Sequence, residues 1–365
     1  MRSARYLLPV GAVAVVAAVT GVPHLIPASA DTTTSATVPT AQQLVAEALH
    51  PQVAGLTGTV EWTANLGIPD LSGLTSGGGQ GASPAGFDPT TLLSGTHDIS
   101  VWAAGTDQQR LALPSSLQEF DVVRNGDQAY TFDSATQKVT HYVPATTSTA
   151  PSSDQAAPDQ PALTPDQAAT QLLDHLSPST TVQVEAIPAV ADQAVYGLQL
   201  QPHATDSTVG SVLIAIDAAN GLPLEVQVTP KAAGSPPLSL TYTKIDFSVP
   251  DASNFAAPTG ATTVTKTIGG GDASGSTGTT AQPAGAMPTF TGTGWDRIAT
   301  LAGTTLTPAE QTQLDAVSAP VPVAGGTAHL VSTALLNALV LPDGRILAGF
   351  VTPEALEGAA ATPAG

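Results

Sequence analysis

The chain has 365 residues, and its 29 Asp plus Glu against 10 Lys plus Arg give a formal net charge of −19. An acidic surface of this kind repels phosphate groups, which excludes nucleic acid and anionic membrane surfaces as expected partners. The lack of cysteine excludes disulfides, thiol catalysis, thiolate metal sites and a Cys-linked lipid anchor.

Residues 1–30 have the three parts of an export signal. Arg2 and Arg5 precede an apolar run over residues 6–22, and the segment ends in the small-x-small triplet at residues 28–30. We therefore predict cleavage at that triplet and an exported, extracytoplasmic protein, either secreted or held in the cell envelope. An uncleaved N-terminal anchor is the alternative, because the apolar run is close to the shortest length that spans a membrane.

A short amphipathic helix is predicted after a Thr-rich segment, residues 31–39, that we expect to be disordered. Thr40 and Gln43 have the spacing of a capping box, and apolar residues recur at helical intervals over residues 40–50. The capping box predicts that the helix begins directly after Thr40.

The stretch from residue 57 to residue 66 alternates strictly between apolar and polar side chains. Val60, Trp62 and Leu66 fall on one side of an extended chain, because the side chains of a strand have a period of two. The Gly-rich loop that follows, residues 67–95, also contains apolar side chains. Two interpretations of this loop are open: it packs partly on the domain surface, or it forms a lid over an apolar opening.

Two sets of about five strands follow, one from residue 97 to residue 143 and one from residue 180 to residue 249. Between them lie a low-complexity insert, residues 145–162, and a second helix whose predicted N-cap is Thr164. Asn125-Gly126 marks a hairpin turn in the first set. Helices combined with antiparallel hairpin signals predict an α+β fold with one large curved sheet.

The last strand of the second set changes its apolar side near Thr243, which predicts a β-bulge.

The main domain is expected to cover residues 40–262. Residues 263–288 have the composition of a flexible linker. A small C-terminal unit with a helix and a hairpin is predicted for residues 289–358, followed by a disordered tail, residues 359–365.

No catalytic or metal-binding signature is present in the sequence. The 7 His residues do not share a metal-ligand spacing, and the Gly-rich stretches lack the basic residue that a phosphate site needs. The Asp residues are concentrated in turns and at helix starts, where local hydrogen bonding favours them. We therefore predict that the protein is not an enzyme and that it uses no metal and no cofactor.

Three segments resemble those of the LolA-type lipoprotein carriers, in the divergent form expected in exported proteins of high-GC Gram-positive bacteria. They are TGTVEWTANLG at residues 57–67, VVRNGDQAYTFDSATQKVTHY at residues 122–142 and IDAANGLPLEVQV at residues 216–228. The resemblance implies an antiparallel sheet of about eleven strands, curled into an unclosed half-barrel and covered by short helices. It also implies an apolar hollow that holds acyl chains.

Related layouts occur in the RseB-type or MucB-like regulators of envelope stress, which add a smaller domain to a LolA-like one, and in the LppX and LprG lipid-carrying lipoproteins. The chain differs from these patterns in three ways: it has no lipobox Cys, it has a long Gly-rich loop, and its C-terminal unit does not match the RseB type residue by residue.

A large sheet with one apolar face must close on itself, stack on another layer, or hold something in its concavity. The chain offers few helices as cover and few aromatic side chains as filling. We therefore expect the apolar face to line a hollow that binds a ligand. The predicted ligand-binding residues are Val60, Trp62, Leu66, Ile99, Val101, Tyr130, Phe132, Leu198, Leu200, Ile214, Ile216, Val226, Val228, Leu240 and Tyr242.

These observations favour an exported, non-enzymatic carrier of lipid or lipoprotein acyl chains. The alternative is a regulator of the RseB kind, which senses lipid or peptide in the hollow and contacts a membrane protein through its C-terminal unit. A structural envelope domain with a filled core is a third interpretation.

Overall fold

The computed structural model of the protein describes residues 38–67, 92, 94–115, 118–144, 169–170, 173, 178–232, 234–268, 289–301 and 307–361. The predicted export signal, nearly all of the Gly-rich loop, the low-complexity insert and most of the second helix lie outside the described residues. In the described part of the chain, no helix is both long and apolar enough to cross a membrane.

Two sheets account for most of the described chain. The strands of the larger sheet are β1 (Gly55–Asn65), β2 (Ser94–Ala104), β3 (Gln108–Ser115), β4 (Gln118–Asn125), β5 (Gln128–Asp133), β6 (Lys138–Pro144), β7 (Thr180–Ala186), β8 (Val195–Pro202), β9 (Val209–Asp217), β10 (Pro223–Pro230), β11 (Leu238–Asp246) and β12 (Thr262–Ile268). The strands of the smaller sheet are β13 (Thr289–Thr291), β14 (Ile298–Leu301), β15 (Ala319–Val323), β16 (Gly326–Ser332), β17 (Asn337–Val340) and β18 (Ile346–Gly349).

The larger sheet is open, with the order β12-β6-β5-β4-β3-β2-β1-β11-β10-β9-β8-β7. Its two end strands, β12 and β7, do not pair with each other in the described residues, so the sheet is not closed into a barrel. Its neighbouring strands are antiparallel except for β12 and β6. The predicted α+β fold with one large open sheet is therefore confirmed, with twelve strands where about eleven were expected.

Local sequence signals explain the positions of several turns and one helix. Asn125 ends β4, and Gly126 follows in the left-handed region with φ 62°, as a two-residue hairpin turn requires. The described helices are α1 (Ala41–Leu49), α2 (Pro308–Val317) and α3 (Pro353–Ala360), with 3₁₀ turns at Ala252–Phe255 and Gly294–Asp296. Both bonds of the predicted capping box at Thr40 and Gln43 are present at the start of α1.

The predicted β-bulge near Thr243 is confirmed. Thr59 of β1 pairs with Lys244 and the next residue, Val60, pairs with Tyr242, so Thr243 has no opposite residue. The hydroxyl of Thr243 donates to the Thr59 carbonyl at 3.3 Å. Because the bulge shifts the side-chain parity of β11, Tyr242 and Ile245 both lie on the apolar face.

The segment predicted to be a linker starts with a strand. Residues 262–268 form β12, which pairs in parallel with β6, so the linker prediction is wrong for this part. The sequence TTVTKTI is rich in β-branched residues, which favour strands, whereas the Gly-rich composition begins only at residue 269. In the same way, α3 continues to Ala360, past the predicted start of the tail.

The smaller sheet is attached to the larger one at the connection between β8 and β9. Ser207 forms a bridge with Val351 after β18. The amide of Thr208 donates to the Phe350 carbonyl at 2.9 Å. These contacts fix the smaller sheet beside one end of the large sheet.

Candidate functional site

The apolar face of the large sheet is built from directly paired residues on neighbouring strands, which point to the same side of a sheet. One row crosses the sheet from β7 to β2, and we call it the inner row and its side of the sheet the inner face. The inner row consists of Val184, Leu198, Ile214, Val226, Leu240, Trp62 and His97.

Parallel rows extend the inner face in both directions. Val60 pairs with Tyr242 on one side and with Ile99 on the other. On the other side of the inner row, Val228 lies two residues after Val226 and pairs with both Leu238 and Val212. The inner face therefore brings together the predicted residues Val60, Trp62, Leu66, Ile99, Val101, Leu198, Leu200, Ile214, Ile216, Val226, Val228, Leu240 and Tyr242.

Tyr130 and Phe132 lie on the opposite face, which we call the outer face. Trp102 pairs with Arg110, Arg110 with Val123, and Val123 with Tyr130, while Trp102 itself pairs with the outward-facing Thr57. The structure therefore separates Tyr130 and Phe132 from the other predicted residues. Alternation within one strand predicts which residues share a side but not which side faces the hollow. The prediction that Tyr130 and Phe132 of β5 lie on the side of the hollow is wrong.

Burial differs along the inner face. Val60, Leu66, Val101, Leu198, Ile216 and Tyr242 are buried. In contrast, the inner-row residues Trp62, Leu240, Val226 and Ile214, which follow one another across four neighbouring strands, are only half-buried. The inner face thus has a continuous central stretch of apolar side chains that the described residues cover incompletely.

The two ends of the inner face are covered by different parts of the chain. Over β8 and β9, Leu44 and Val45 of α1 pack against Leu198 and Ile216. At the end near Leu66, the cover comes from the smaller sheet and its connections. That cluster contains Leu66, Val209 and Leu335, with Trp295, Leu336, Val212, Val228 and Leu238 packed against it.

Trp62 is held in one orientation at the centre of the inner row. Its indole Nε1 donates a hydrogen bond to the Leu92 carbonyl at 2.7 Å. Since the polar group of the indole is satisfied, the ring can present a hydrocarbon surface to its surroundings without leaving a donor unpaired.

Tyr242 lies next to the inner row on β11 and packs in a cluster with Leu56, Val60 and Val101. Its ring lies against Gly58, where an added Cβ would be 2.8 Å from Tyr242 Cε1. Burial raises the pKa of the Tyr242 hydroxyl to about 12.

The outer face has a partly buried group of charged residues, in which Arg110 pairs with both Asp121 and Glu119. Arg110 Nη2 lies 2.9 Å from Asp121 Oδ2 and 3.1 Å from Glu119 Oε1, and its guanidinium stacks on Trp102 at 4.8 Å from the ring centroid. Burial, opposed by Arg110, raises the pKa of Asp121 to about 6. The Tyr130 hydroxyl donates to the Phe255 carbonyl at 3.0 Å. Asp121 Oδ1 and Arg110 Nε are buried without a hydrogen-bond partner among the described residues, so this network is only partly satisfied.

In the described residues, no group of three or more His, Asp or Glu side chains could hold a metal ion. The inner face is an apolar surface, and a surface of this kind binds by burial of hydrocarbon.

No protein-family model matches the chain, and no curated protein matches it. Among solved structures, the chain is similar to the MucA/MucB complex of Pseudomonas aeruginosa, with 14% identity, a TM-score of 0.41, and coverage of 88% of this chain and 96% of that chain. It is also similar to an uncharacterized conserved protein from Thermus thermophilus, with 10% identity, a TM-score of 0.35, and coverage of 62% and 99%.

A LolA superfamily protein from Nitrosomonas europaea is a further similar structure, with 13% identity, a TM-score of 0.21, and coverage of 61% of this chain and 99% of that chain. Two of these three structures bear the names MucB and LolA, and the third is uncharacterized. At TM-scores this low they carry no information about the ligand or the partner of this chain.

Proposed function

We propose that the protein is an exported, non-enzymatic carrier that binds lipid or lipoprotein acyl chains on the inner face. The observation that carries this proposal is the half-buried stretch from Trp62 through Leu240 and Val226 to Ile214. An alkyl chain laid across it would complete the burial of these side chains. Burial contributes about 0.8 kcal/mol per methylene, so ten methylenes contribute roughly 8 kcal/mol before the costs of ordering and association.

A carrier of this kind needs no catalytic group. The inner row ends at the polar side chain of His97, whose ring nitrogen contacts the Ser94 carbonyl at 2.8 Å. The acidic surface would keep an exported carrier soluble while its cargo stays on the apolar face.

The proposal is tested by extracting purified protein with organic solvent and identifying bound lipid by mass spectrometry, together with uptake of an apolar fluorescent dye. A matched pair of variants locates the site. Val226→Thr adds a hydroxyl to the inner face with little change of shape, and we expect it to weaken dye and lipid binding about fivefold or more. Val123→Thr makes the same change in the outer-face core and should leave binding unchanged. Wild-type protein without lipid and without dye uptake would contradict the carrier function.

A second candidate function is a regulator that contacts a membrane protein through its C-terminal unit. One observation favours it: Phe290 on β13 is 53% exposed and Leu301 on β14 is 40% exposed, both in the smaller sheet. Exposed large apolar side chains of this kind are typical of protein contact surfaces. Phe290→Ser should then abolish crosslinking to a membrane protein in intact cells and leave lipid uptake unchanged, whereas a pure carrier would show no such crosslink.

A further inference from the structure

The large sheet ends on one side in β12, an edge strand that runs parallel to β6. All 7 of its residues are in register with β6, without a bulge and without Pro or Gly. Residues 262–265 are exposed. Proteins usually shorten, bulge or cover such an edge, because its unpaired backbone groups can pair with another chain. In the described residues no strand pairs with the free side of β12, and Lys266 is the one charged side chain on this strand.

The edge strand at the opposite end of the sheet, β7, is packed against other elements. Val182 and Val184 of β7 contact the apolar cluster that contains α1. The hydroxyl of Thr180 accepts a hydrogen bond from the Trp295 indole of the C-terminal unit at 2.7 Å. The exposed residues of β12 therefore make it the more accessible of the two edges.

The free side of β12 presents backbone groups of Thr263 and Thr265. The amide of Thr262 donates to the Gln137 carbonyl at 2.9 Å, so the backbone of Thr262 faces β6. Successive residues of a strand face alternately towards and away from the neighbouring strand. Thr263 and Thr265 therefore direct their N–H and C=O groups away from β6. An extended peptide that adds to a sheet edge binds to groups of this kind through main-chain hydrogen bonds.

The side chains of β12 differ between its two sides. Thr265 lies on the outer face, because it pairs with His141, which pairs with Tyr130. Val264 and Lys266 consequently lie on the inner face, and Val264 is 36% exposed. Cross-strand pairs of Thr with Thr and of opposite charges stabilise a sheet. An added strand therefore fits best with hydroxyl side chains on its outer side and acidic or apolar side chains on its inner side.

The edge formed by β6 and β12 is basic in an otherwise acidic protein. These two strands contain Lys138, Lys266 and His141 and no Asp or Glu, whereas the whole chain has 29 Asp plus Glu against 10 Lys plus Arg. Asp133 pairs with Lys138 across β5 and β6, so Lys266 is the charge closest to an added strand. Charge complementarity therefore favours an acidic partner over a basic one.

We propose that β12 is a docking edge for an extended, acidic segment of another protein, which adds to the large sheet as a further strand. Main-chain hydrogen bonds to Thr263 and Thr265 hold the segment, and the charge of Lys266 selects acidic side chains. The inner row extends only from β7 to β2, so this edge lies outside the proposed acyl-chain site. The inference goes beyond the carrier function and does not depend on it.

The test measures binding of a fluorescein-labelled synthetic peptide to the full-length protein by fluorescence anisotropy at low ionic strength. The peptide has Thr at alternate positions and Glu or Val between them, and a matched peptide has Lys in place of Glu. Wild-type protein should bind the Glu peptide about tenfold more tightly than the Lys peptide. Lys266→Glu should reduce or reverse this preference.

A pair of variants at one position tests the backbone contacts. Thr265→Pro removes the outward N–H without removing a hydrogen bond to β6, so it should weaken binding of the Glu peptide about tenfold. Thr265→Val keeps that N–H and should bind within about twofold of wild type. Equal melting temperatures of the two variants show that the fold is intact. As a measurement on wild-type protein alone, methylation of alternate backbone nitrogens of the peptide should abolish binding.

Three outcomes would overturn the proposal. They are no binding of the Glu peptide to wild type, equal binding by wild type and Thr265→Pro, and undiminished binding of the N-methylated peptide. A wild-type dimer in sedimentation that Thr265→Pro dissociates would also overturn it, because the edge would then pair with a second copy of this chain. None of these results changes the expected lipid binding of the inner face.

Discussion

At the scale of single residues, the buried carboxylate of Asp121 makes stability depend on pH. Asp121 is 3% exposed and one of its oxygens, Oδ1, is buried without a described hydrogen-bond partner. Burial raises its pKa in the folded state from the ordinary value of 3.8 to about 6, so the folded state holds this proton more tightly than the unfolded state does. The stabilising contribution is therefore complete below pH 3.8 and is lost as the pH rises through about 6.

The corresponding prediction concerns Asp121→Asn. Between pH 4 and pH 6, the free energy of unfolding of wild type should fall by about 1 to 3 kcal/mol relative to this variant. Urea denaturation at several pH values measures how the free energy of unfolding changes with pH in wild type and in Asp121→Asn. Parallel curves for the two proteins would show that Asp121 does not titrate in this range.

Trp62 provides a second prediction at this scale. Because it is half-buried on the inner face, Trp62→Ala should cost less than about 3 kcal/mol in the ligand-free protein, below the usual range for a packed aromatic residue. Phe255 is fully buried, and Phe255→Ala should cost about 3 to 5 kcal/mol. If denaturant unfolding showed equal losses of unfolding free energy in Trp62→Ala and Phe255→Ala, the filled-core interpretation of the inner face would be favoured.

At the scale of elements, the pairing of β1 with β11 depends on a glycine. A Cβ at residue 58 would lie 2.8 Å from both the Lys244 carbonyl oxygen and the Tyr242 ring. Gly58→Ala should therefore destabilise the protein by about 1 to 3 kcal/mol through overpacking. In α3, a Cβ at Gly358 meets nothing within 4 Å, so Gly358→Ala should stabilise by up to about 1 kcal/mol. In thermal unfolding, the melting temperature should fall in Gly58→Ala and rise in Gly358→Ala.

The elements also show what could be predicted from the sequence. The capping box at Thr40, the hairpin at Gly126 and the bulge at Thr243 depend on residues close in the chain, so local patterns indicated them. The parallel pairing of β12 with β6 and the outward side of Tyr130 depend on register between strands, which a single sequence does not specify. Most of the inner face could be anticipated from alternation, but the half-buried state of the stretch from Trp62 to Ile214 is visible only in three dimensions.

At the scale of the whole molecule, the two sheets share one apolar cluster. Leu335 is fully buried against Leu66 and Val209, and the Trp295 indole donates to the Thr180 hydroxyl at 2.7 Å. These contacts predict a single cooperative unfolding transition in calorimetry. Leu335→Ala should cost about 2 to 5 kcal/mol and separate the melting of the two sheets. A single transition in the variant would show that the backbone contacts at Ser207 are sufficient to couple them.

The order of the strands has a consequence for how the chain matures. The hydrogen bond between Thr243 and Thr59 joins residues 184 positions apart, because β1 lies between β2 and β11 at the centre of the sheet. Such distant pairing slows folding, since much of the chain must be present before it forms. When the chain emerges from its N-terminus, β1 appears early and can pair only with β2 until residue 246 has followed. During that interval the backbone groups along its other edge and its apolar side remain exposed, so the unfinished chain offers a binding surface for a folding chaperone.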